Sequence, residues 1–463
     1  MTLDPQLAAA LQELLGPRFS QASSERDLHG RDESHYTAPP PDAVAWAESV
    51  AEISAVLSLC HEHRTPVIPF GTGSSLEGHV LAVSGGLSLD LSRMDKVLEI
   101  NDEDLDCRVQ AGVRRETLDR VLGERGLLFG VDPGADATLG GMAATGASGT
   151  MTVRYGNMRA HVLGLEAVLA DGTVIHTGSR ARKSAAGYDL TGLLVGSEGT
   201  LAVITELQLR VHGMPERIAA ARCCFPTVAQ LVSAVIDIVR LGVPVARCDL
   251  VDALAMRAVN AHSGLGEPEM PTLFLEFHGA PAAVEEEIET VRTVAAEHGG
   301  GEFAWAATTQ ERAAMWRARH QAYFAGRNLR PGAMPYTTDL CVPISALTEI
   351  IGLTERLMVD LPFPGLMVGH VADGNFHTQL LVNDDDPSER ALVQEFVATL
   401  VARAHALGGT CTGEHGIGIG KREALVAEVG EETVAAMRAL KGALDPLGLL
   451  NPGKVLFDAP VTA

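Results

Sequence analysis

Residues 132–156 read DPGADATLGGMAATGASGTMTVRYG. Six glycines among alanines, serines and threonines leave this stretch unable to supply much core. What it offers instead is main-chain donors in a backbone that can approach a ligand closely. Two more glycine loops flank it. Upstream, PFGTGSSLEG (69–78) follows an expected strand over 66–69, so its amides can converge on a pyrophosphate. The loop lacks the third Rossmann glycine, because Leu76 stands three residues after Gly73. It also lacks the Walker lysine, because His79-Val80 follow Gly78. Downstream, VGSEGT (195–200) precedes an expected strand over 201–211. Three such loops in one half of a chain are hard to explain by turns alone, and a bound dinucleotide gives them a shared purpose.

The surroundings read as mixed α+β. Leu7, Leu11, Leu14 and Leu15 form one stripe of a helix over 1–30, followed by a polar run to about 38 and the Pro39-Pro40-Pro41 tract. A helix is expected at 50–63, strands at 87–91, 98–100 and 106–109, and a helix at 115–125. Asp171-Gly172 is a hairpin turn between strands 162–169 and 173–176. Near Pro215 the glycine loops stop and helix-rich sequence begins. The expected division is therefore an N-terminal helical segment (1–38), a ligand-binding domain (39–214) and a second domain (215–457).

The second domain carries VGHVADGNFHT (368–378). Asp373-Gly374 reads as a two-residue turn that pairs His370 with His377 on one face, which Asn375 shares, with Cβ atoms ~4.5–5.5 Å apart. Both imidazoles then reach one metal ion. Downstream, GTCTGEHGIGIGK (409–421) supplies Glu414 and His415 in open, glycine-flanked backbone. A carboxylate with two imidazoles suits Zn, Mn or Fe, and the alternation of an extended segment lets His415 face a different ligand from Glu414. Residues 310–327 read as a helix with Met315, Trp316 and Phe324 among its apolar positions, carrying Arg317 and Arg319.

Together the loop 69–78, the run 132–156, the stretch 196–200 and Asn451-Pro452-Gly453-Lys454-Val455 resemble the vanillyl-alcohol-oxidase (PCMH-type) FAD-binding superfamily. Within it the chain is most similar to the D-lactate dehydrogenase (cytochrome) and glycolate oxidase flavoprotein family, from about residue 35 to 457. The resemblance implies a two-part PCMH-type FAD-binding domain, and a C-terminal α+β substrate domain of the FAD-linked oxidase type with a largely antiparallel sheet. It places Gly71, Thr72, Gly73, Ser74, Pro133, Gly141, Thr145, Ser148, Gly149, Glu198, Gly199, Ile204 and Asn451 at FAD. The C-terminal end returns to the flavin. Attachment is expected to be non-covalent, because His79 lies after the first loop and reads as a partly buried histidine. His370, His377 and Glu414 match the family's metal ligands, His415 its base and Arg319 its carboxylate anchor, with Asn375 beside the substrate and Arg317 the weaker match. Thr337 stands where relatives acting on D-2-hydroxyglutarate carry a lysine.

The implied activity is oxidation of a small D-2-hydroxy acid, D-lactate foremost, to the 2-oxo acid. Alternatives are a glycolate oxidase flavoprotein subunit, a D-2-hydroxyglutarate dehydrogenase, or a metal-dependent hydrolase without flavin. The acceptor is open among a cytochrome, a quinone and an electron-transfer flavoprotein, since no Cys-x-x-Cys signature is present. Composition bounds the rest. A net charge of −23 excludes tracking a nucleic-acid backbone, and no apolar run reaches the ~18–20 residues that cross a bilayer. Seven scattered cysteines argue for a reducing compartment. The expectation is a soluble, unprocessed cytoplasmic protein, with the inner-membrane surface as an alternative location. The oligomeric state is open, a homodimer included.

Overall fold

The computed structural model describes residues 3–457 apart from 265 and 307. The chain divides into two compact units. The first comprises Met1–Ser148, Asn157–Met214 and Glu414–Ala463, and the second Gly149–Gly156 with Pro215–Gly413.

In the first unit a four-stranded sheet runs in the order Phe19–Ser20, Ala43–Trp46, Leu87–Asp90, Val67–Phe70. The last three strands are mutually parallel, and the first pairs antiparallel. Ala43, Val44 and Ala45 are fully buried, as a strand covered on both faces requires. The helix Val50–Glu62 is capped by Ser49 and buries Ile53, Val56, Leu57 and Cys60, the i, i+3, i+4, i+7 stripe. A second, antiparallel sheet orders Val97–Asn101, Asp106–Gln110, Val203–Arg210, Val162–Val168 and Val174–Gly178. Asp171-Gly172 lies between the last two of these, with Gly172 at φ +88°.

The N-terminus departs from the single expected helix. Pro5–Leu15 is helical, Gly16 turns the chain at φ +57°, and Pro17 removes the donor a continuing helix needs. Phe19–Ser20 then joins the sheet, and Ser23–His29 forms a separate helix. Leu7, Leu11 and Leu15 are buried in the same core as the sheet strands, whereas Leu14, expected on that stripe, is exposed. Leu3, Leu7, Leu11, Leu15 and Phe19 thus join the first unit's core, and residues 3–38 belong to that unit.

The second unit is built on an eight-stranded sheet in the order Ala304–Ala306, Arg217–Cys224, Thr272–Gly279, Arg247–Val251, Gly365–Gly369, Asn375–Val382, Met334–Thr337, with Leu340–Cys341 also on Asn375–Val382. Every pairing is antiparallel. Alternation sorts its two faces. Cys248, Leu250, Leu273, Leu275 and Phe277 enter the main core with residues of the helices Val228–Arg240, Pro281–Glu297, Leu347–Val359 and Pro387–Ala406. Their neighbours Arg247, Asp249, Glu276 and His278 point to the opposite face, which carries only small apolar clusters involving the helices Ala253–Ser263, Thr309–His320 and Ala322–Arg327. Polar groups buried on that face have to find partners there, and they form the site.

Candidate functional site

Asp249 lies at the middle of its strand, wholly buried, and it holds two of the sequence-predicted residues at once. Its Oδ1 is 3.0 Å from His370 Nδ1, and its Oδ2 is 2.8 Å from Arg319 Nε. Burial alone would raise the Asp249 carboxyl, but the Arg319 guanidinium and His370 outweigh it and hold the group below its ordinary value. The helix Thr309–His320 sorts its two arginines. Arg319 is buried with Trp316 and Met315, whereas Arg317 is on the exposed side. Gln321 separates this helix from Ala322–Arg327, so the expected single helix is two.

The histidine hairpin differs from the expected register. Val368, not His370, is opposite His377, and Gly365 opposes Leu380, because Val371–Asp373 coil into a 3₁₀ turn and Gly374 completes the loop at φ +82°. A Cβ on Gly374 would lie 2.0 Å from Val342 O, so glycine is required there. His370 still reaches His377 from the loop: the ring centroids are 5.8 Å apart and the planes nearly perpendicular, at 80°. His377 Nδ1 is 3.1 Å from Thr338 O. Nδ1 of each imidazole is directed at an oxygen, which leaves Nε2 as the ring atom able to bind a metal. This donor set fits a divalent ion.

Asn375 is on the same strand face as His377. Its Nδ2 donates to Asp339 Oδ1 (2.8 Å) and Leu340 O (3.0 Å), while Thr412 Oγ1 donates to Asp339 Oδ2 (2.7 Å). A Cβ on Gly413 would lie 2.3 Å from Asn375 Nδ2. Thr337 is opposite Gln379 on this face. The next two residues in the chain after Gly413, Glu414 and His415, open the segment that belongs to the first unit.

In the first unit, the amides of Gly71, Thr72, Gly73 and Ser74 donate to no carbonyl among the described residues. Gly73 sits at φ +66°, and a Cβ on Gly71 would lie 2.3 Å from Thr138 Oγ1, so the loop packs directly on the start of the helix Leu139–Thr145. Thr72 and Ser74 hydroxyls meet at 3.0 Å. Thr145 Oγ1 donates to Gly141 O. Main-chain donors left over beside a glycine-permissive backbone fit a pyrophosphate. Pro133 and Ser148 belong to the same unit, whereas Gly149, donating its N–H to Thr152 Oγ1 at 2.9 Å, belongs to the second. Ile204 is buried within its strand, and Gly199, at φ +68°, faces Pro69.

Two residues placed at the cofactor by resemblance have other partners. Glu198 is buried at φ +55°, and its oxygens accept from Ile417 N (2.6 Å) and Gly418 N (2.8 Å). Its Oε2 is also 2.9 Å from His79 Nε2. Burial would raise Glu198, but His79 and the two amides outweigh it and lower the group. Burial likewise opposes the charged His79, and Glu198 overcomes that, raising the imidazole. His79 is therefore fully buried in an ion pair and not the partly buried residue expected. Asn451 Nδ2 donates to both His79 O (3.0 Å) and Glu198 O (2.8 Å).

Sequence reasoning missed Asp249, Asp339 and the Glu198–His79 pair. Asp249 had a signal, an acid within the alternating strand Arg247–Val251; the other two had none short of tertiary structure.

Comparison with known proteins gives these geometries a context. Residues 41–178 match the family model described as FAD binding domain, and residues 214–455 match FAD linked oxidases, C-terminal domain. The chain is 48% identical over 440 residues to a protein of Danio rerio named probable D-lactate dehydrogenase, mitochondrial, covering 94% of this chain and 88% of the relative. It is 38% identical over 453 residues to D-lactate dehydrogenase (cytochrome), mitochondrial, of Arabidopsis thaliana, covering 97% and 80%. Over 450 residues it is 32% identical to the glycolate oxidase subunit GlcD of Bacillus subtilis, covering 96% and 95%. Among solved structures, 4-ethylphenol oxidase from Gulosibacter chungangensis superposes with a TM-score of 0.79 at 18% identity, covering 97% and 96%. A p-cresol methylhydroxylase with substrate bound gives 0.76 at 17%, with the same coverage. These two share the fold. The mitochondrial names of the first two relatives, and of those from two yeasts, correct the expectation of a cytoplasmic protein. No helix among the described residues is long and apolar enough to cross a membrane.

Proposed function

Because the chain belongs to the family of FAD-linked D-lactate dehydrogenases (cytochrome) and glycolate oxidase flavoproteins, we propose that it oxidises D-lactate, or a close D-2-hydroxy monocarboxylate, to the 2-oxo acid. It is an FAD-dependent oxidoreductase of PCMH-type α+β fold. The observation that best supports the finer reading is Asp249, one buried carboxylate that orients both an arginine and a metal-type histidine.

Bound FAD supplies the acceptor for the two electrons that leave with the α-hydrogen. The remaining tasks fall to side chains. Arg319 turns its Nε towards Asp249, so the terminal nitrogens of its planar fork are the ones to hold the substrate carboxylate. Asn375 lies beside the substrate, fixed by Asp339. His415 takes the hydroxyl proton as general base. His370, His377 and Glu414 would hold a divalent metal, Zn, Mn or Fe, which supplies Lewis acidity towards the substrate oxygens. The ion pair of His79 with Glu198 supports non-covalent flavin, since it commits the imidazole that follows the first loop. The cytochrome named for relatives supports a cytochrome as electron acceptor.

Glycolate oxidation is the second reading, carried by the relative at 32% identity. Anaerobic absorbance during titration with D-lactate, L-lactate and glycolate decides between them. Bleaching of the flavin by D-lactate at low concentration is expected. Equal or better bleaching by L-lactate or glycolate overturns the D-lactate assignment.

A further inference from the structure

The segment 414–421 is held in the first unit by several attachments to distant parts of the chain. Besides the two amides bound by Glu198, Ile419 N donates to Glu77 O (2.9 Å), Val455 N donates to Gly418 O (3.0 Å), and Lys421 Nζ is 2.7 Å from Glu77 Oε1. Glycine is mandatory along it. A Cβ on Gly416, at φ +84°, would lie 2.6 Å from Glu198 Oε1 and 2.9 Å from His79 Nε2; one on Gly418 would lie 2.0 Å from Glu77 O. Glu198 itself takes a left-handed conformation that a non-glycine residue adopts at a cost, as does Asn451 at φ +42°. Asn451 spans the carbonyls of Glu198 and His79 with one amide nitrogen. Three separate stretches of chain, 77–79, 198 and 451–455, thus converge around the backbone just after His415.

We infer that Glu198, braced by His79 and Asn451, is a positioning residue for His415: it fixes the main chain of Ile417 and Gly418 and so sets where the imidazole two residues earlier stands. The inference rests on the reading of His415 as the base. It assigns the glutamate of the VGSEGT stretch to the proton-transfer step instead of to flavin contact, where resemblance had put it. Two acceptor oxygens are used because one bond fixes a point and two fix the direction of the peptide.

The test uses the flavin-loaded enzyme. E198Q keeps the shape of the side chain but offers one acceptor oxygen and no charge to His79. Stopped-flow reduction by D-lactate should give a rate constant about 10–100-fold below the parent, the size expected when a catalytic group is misplaced by roughly 1 Å. Flavin content and the dissociation constant for D-lactate should be unchanged. The double variant E198Q/H415A should be no slower than H415A alone, because a residue that works only through His415 has nothing left to position. E198D keeps the charge facing His79 but shortens the reach to the amides of Ile417 and Gly418 and should slow reduction similarly, which keeps the test intact should E198Q fail to fold. Parent-rate reduction in E198Q or E198D, loss of flavin from E198Q, or a double variant slower by the full product of both effects overturns the inference. H415A reducing flavin at the parent rate overturns the base assignment instead, and does so whichever way E198Q behaves.

Discussion

The two units prepare for chemistry by opposite means. In the second, a sheet face delivers side chains: Asp249, Asn375 and His377 stand on strands whose alternation fixes their direction, and each ligand-type group meets a buried acid or carbonyl. In the first, glycine loops deliver backbone: amides of 71–74 with no carbonyl partner among the described residues, and a segment after His415 pinned by Glu198, Glu77 and Val455. Side chains on a sheet act locally, so a substitution there should disturb the groups it touches and spare the flavin loops of the first unit. Loops that hold one another do not, and a substitution there should propagate along the backbone.

The largest effect expected is at His415, the proposed base, in the first unit. H415A should slow flavin reduction by D-lactate ~10²–10⁴-fold, the usual contribution of a positioned base, with flavin and metal content intact. A mutant at the parent rate would place the base elsewhere. D249N tests the opposite unit. It leaves Arg319 buried without its counter-charge and weakens the acceptor that orients His370. Metal affinity should fall about 10–100-fold, the usual cost of removing the group behind a histidine ligand, with some loss of melting temperature. Elemental analysis after dialysis against a metal buffer reads the first, and retained flavin absorbance shows that the damage stays in one unit. Flavin loss in D249N would break the contrast between the units.

How much of this was legible in the sequence follows the same divide. The histidine pair showed because Asp373-Gly374 announces a turn, yet the register came out two residues off: Val371–Asp373 coil, which no letter in VADG reveals. The break after Leu15 is written in Gly16-Pro17, which overrides the stripe of leucines. Asp249 shows as an acid within an alternating strand, but its partner Arg319 lies some seventy residues later. Glu198 was placed at the flavin by family likeness, but its partners are the amides of Ile417 and Gly418, and an amide has no letter. Side-chain sites leave a trace in sequence, whereas backbone sites leave only glycine.

Substrate choice should depend on the second unit alone. Thr337 is on the polar face, opposite Gln379, and brings no positive charge to a second carboxylate. Burying one there without a counter-ion costs energy. D-Lactate should therefore be preferred over D-2-hydroxyglutarate by at least about tenfold in kcat/KM, or about 1.4 kcal/mol. Equal values measured side by side would show that another cation serves the distal group.

The smallest effect belongs to the first unit, where His29 ties the helix Ser23–His29 to the sheet. His29 Nε2 is 2.9 Å from Asp90 Oδ2, Nδ1 is 2.8 Å from Glu25 O, and the ring packs between Trp46 and Phe70, the residue just before Gly71. Burial opposes its charge, but the bond to Asp90 prevails with that to Glu25, and the imidazole is raised above 6.5. A histidine raised on folding contributes stability that is complete below its unfolded value and fades as pH climbs through the folded one. The melting temperature of the parent should therefore exceed that of H29Q most at pH 6, and the gap should narrow towards pH 9. A remainder will persist at high pH, because the packing against Trp46 and Phe70 does not titrate. If the gap stays constant from pH 6 to 9, or widens, the pair with Asp90 is not what holds this helix, and ring packing alone anchors the chain beside the first glycine loop.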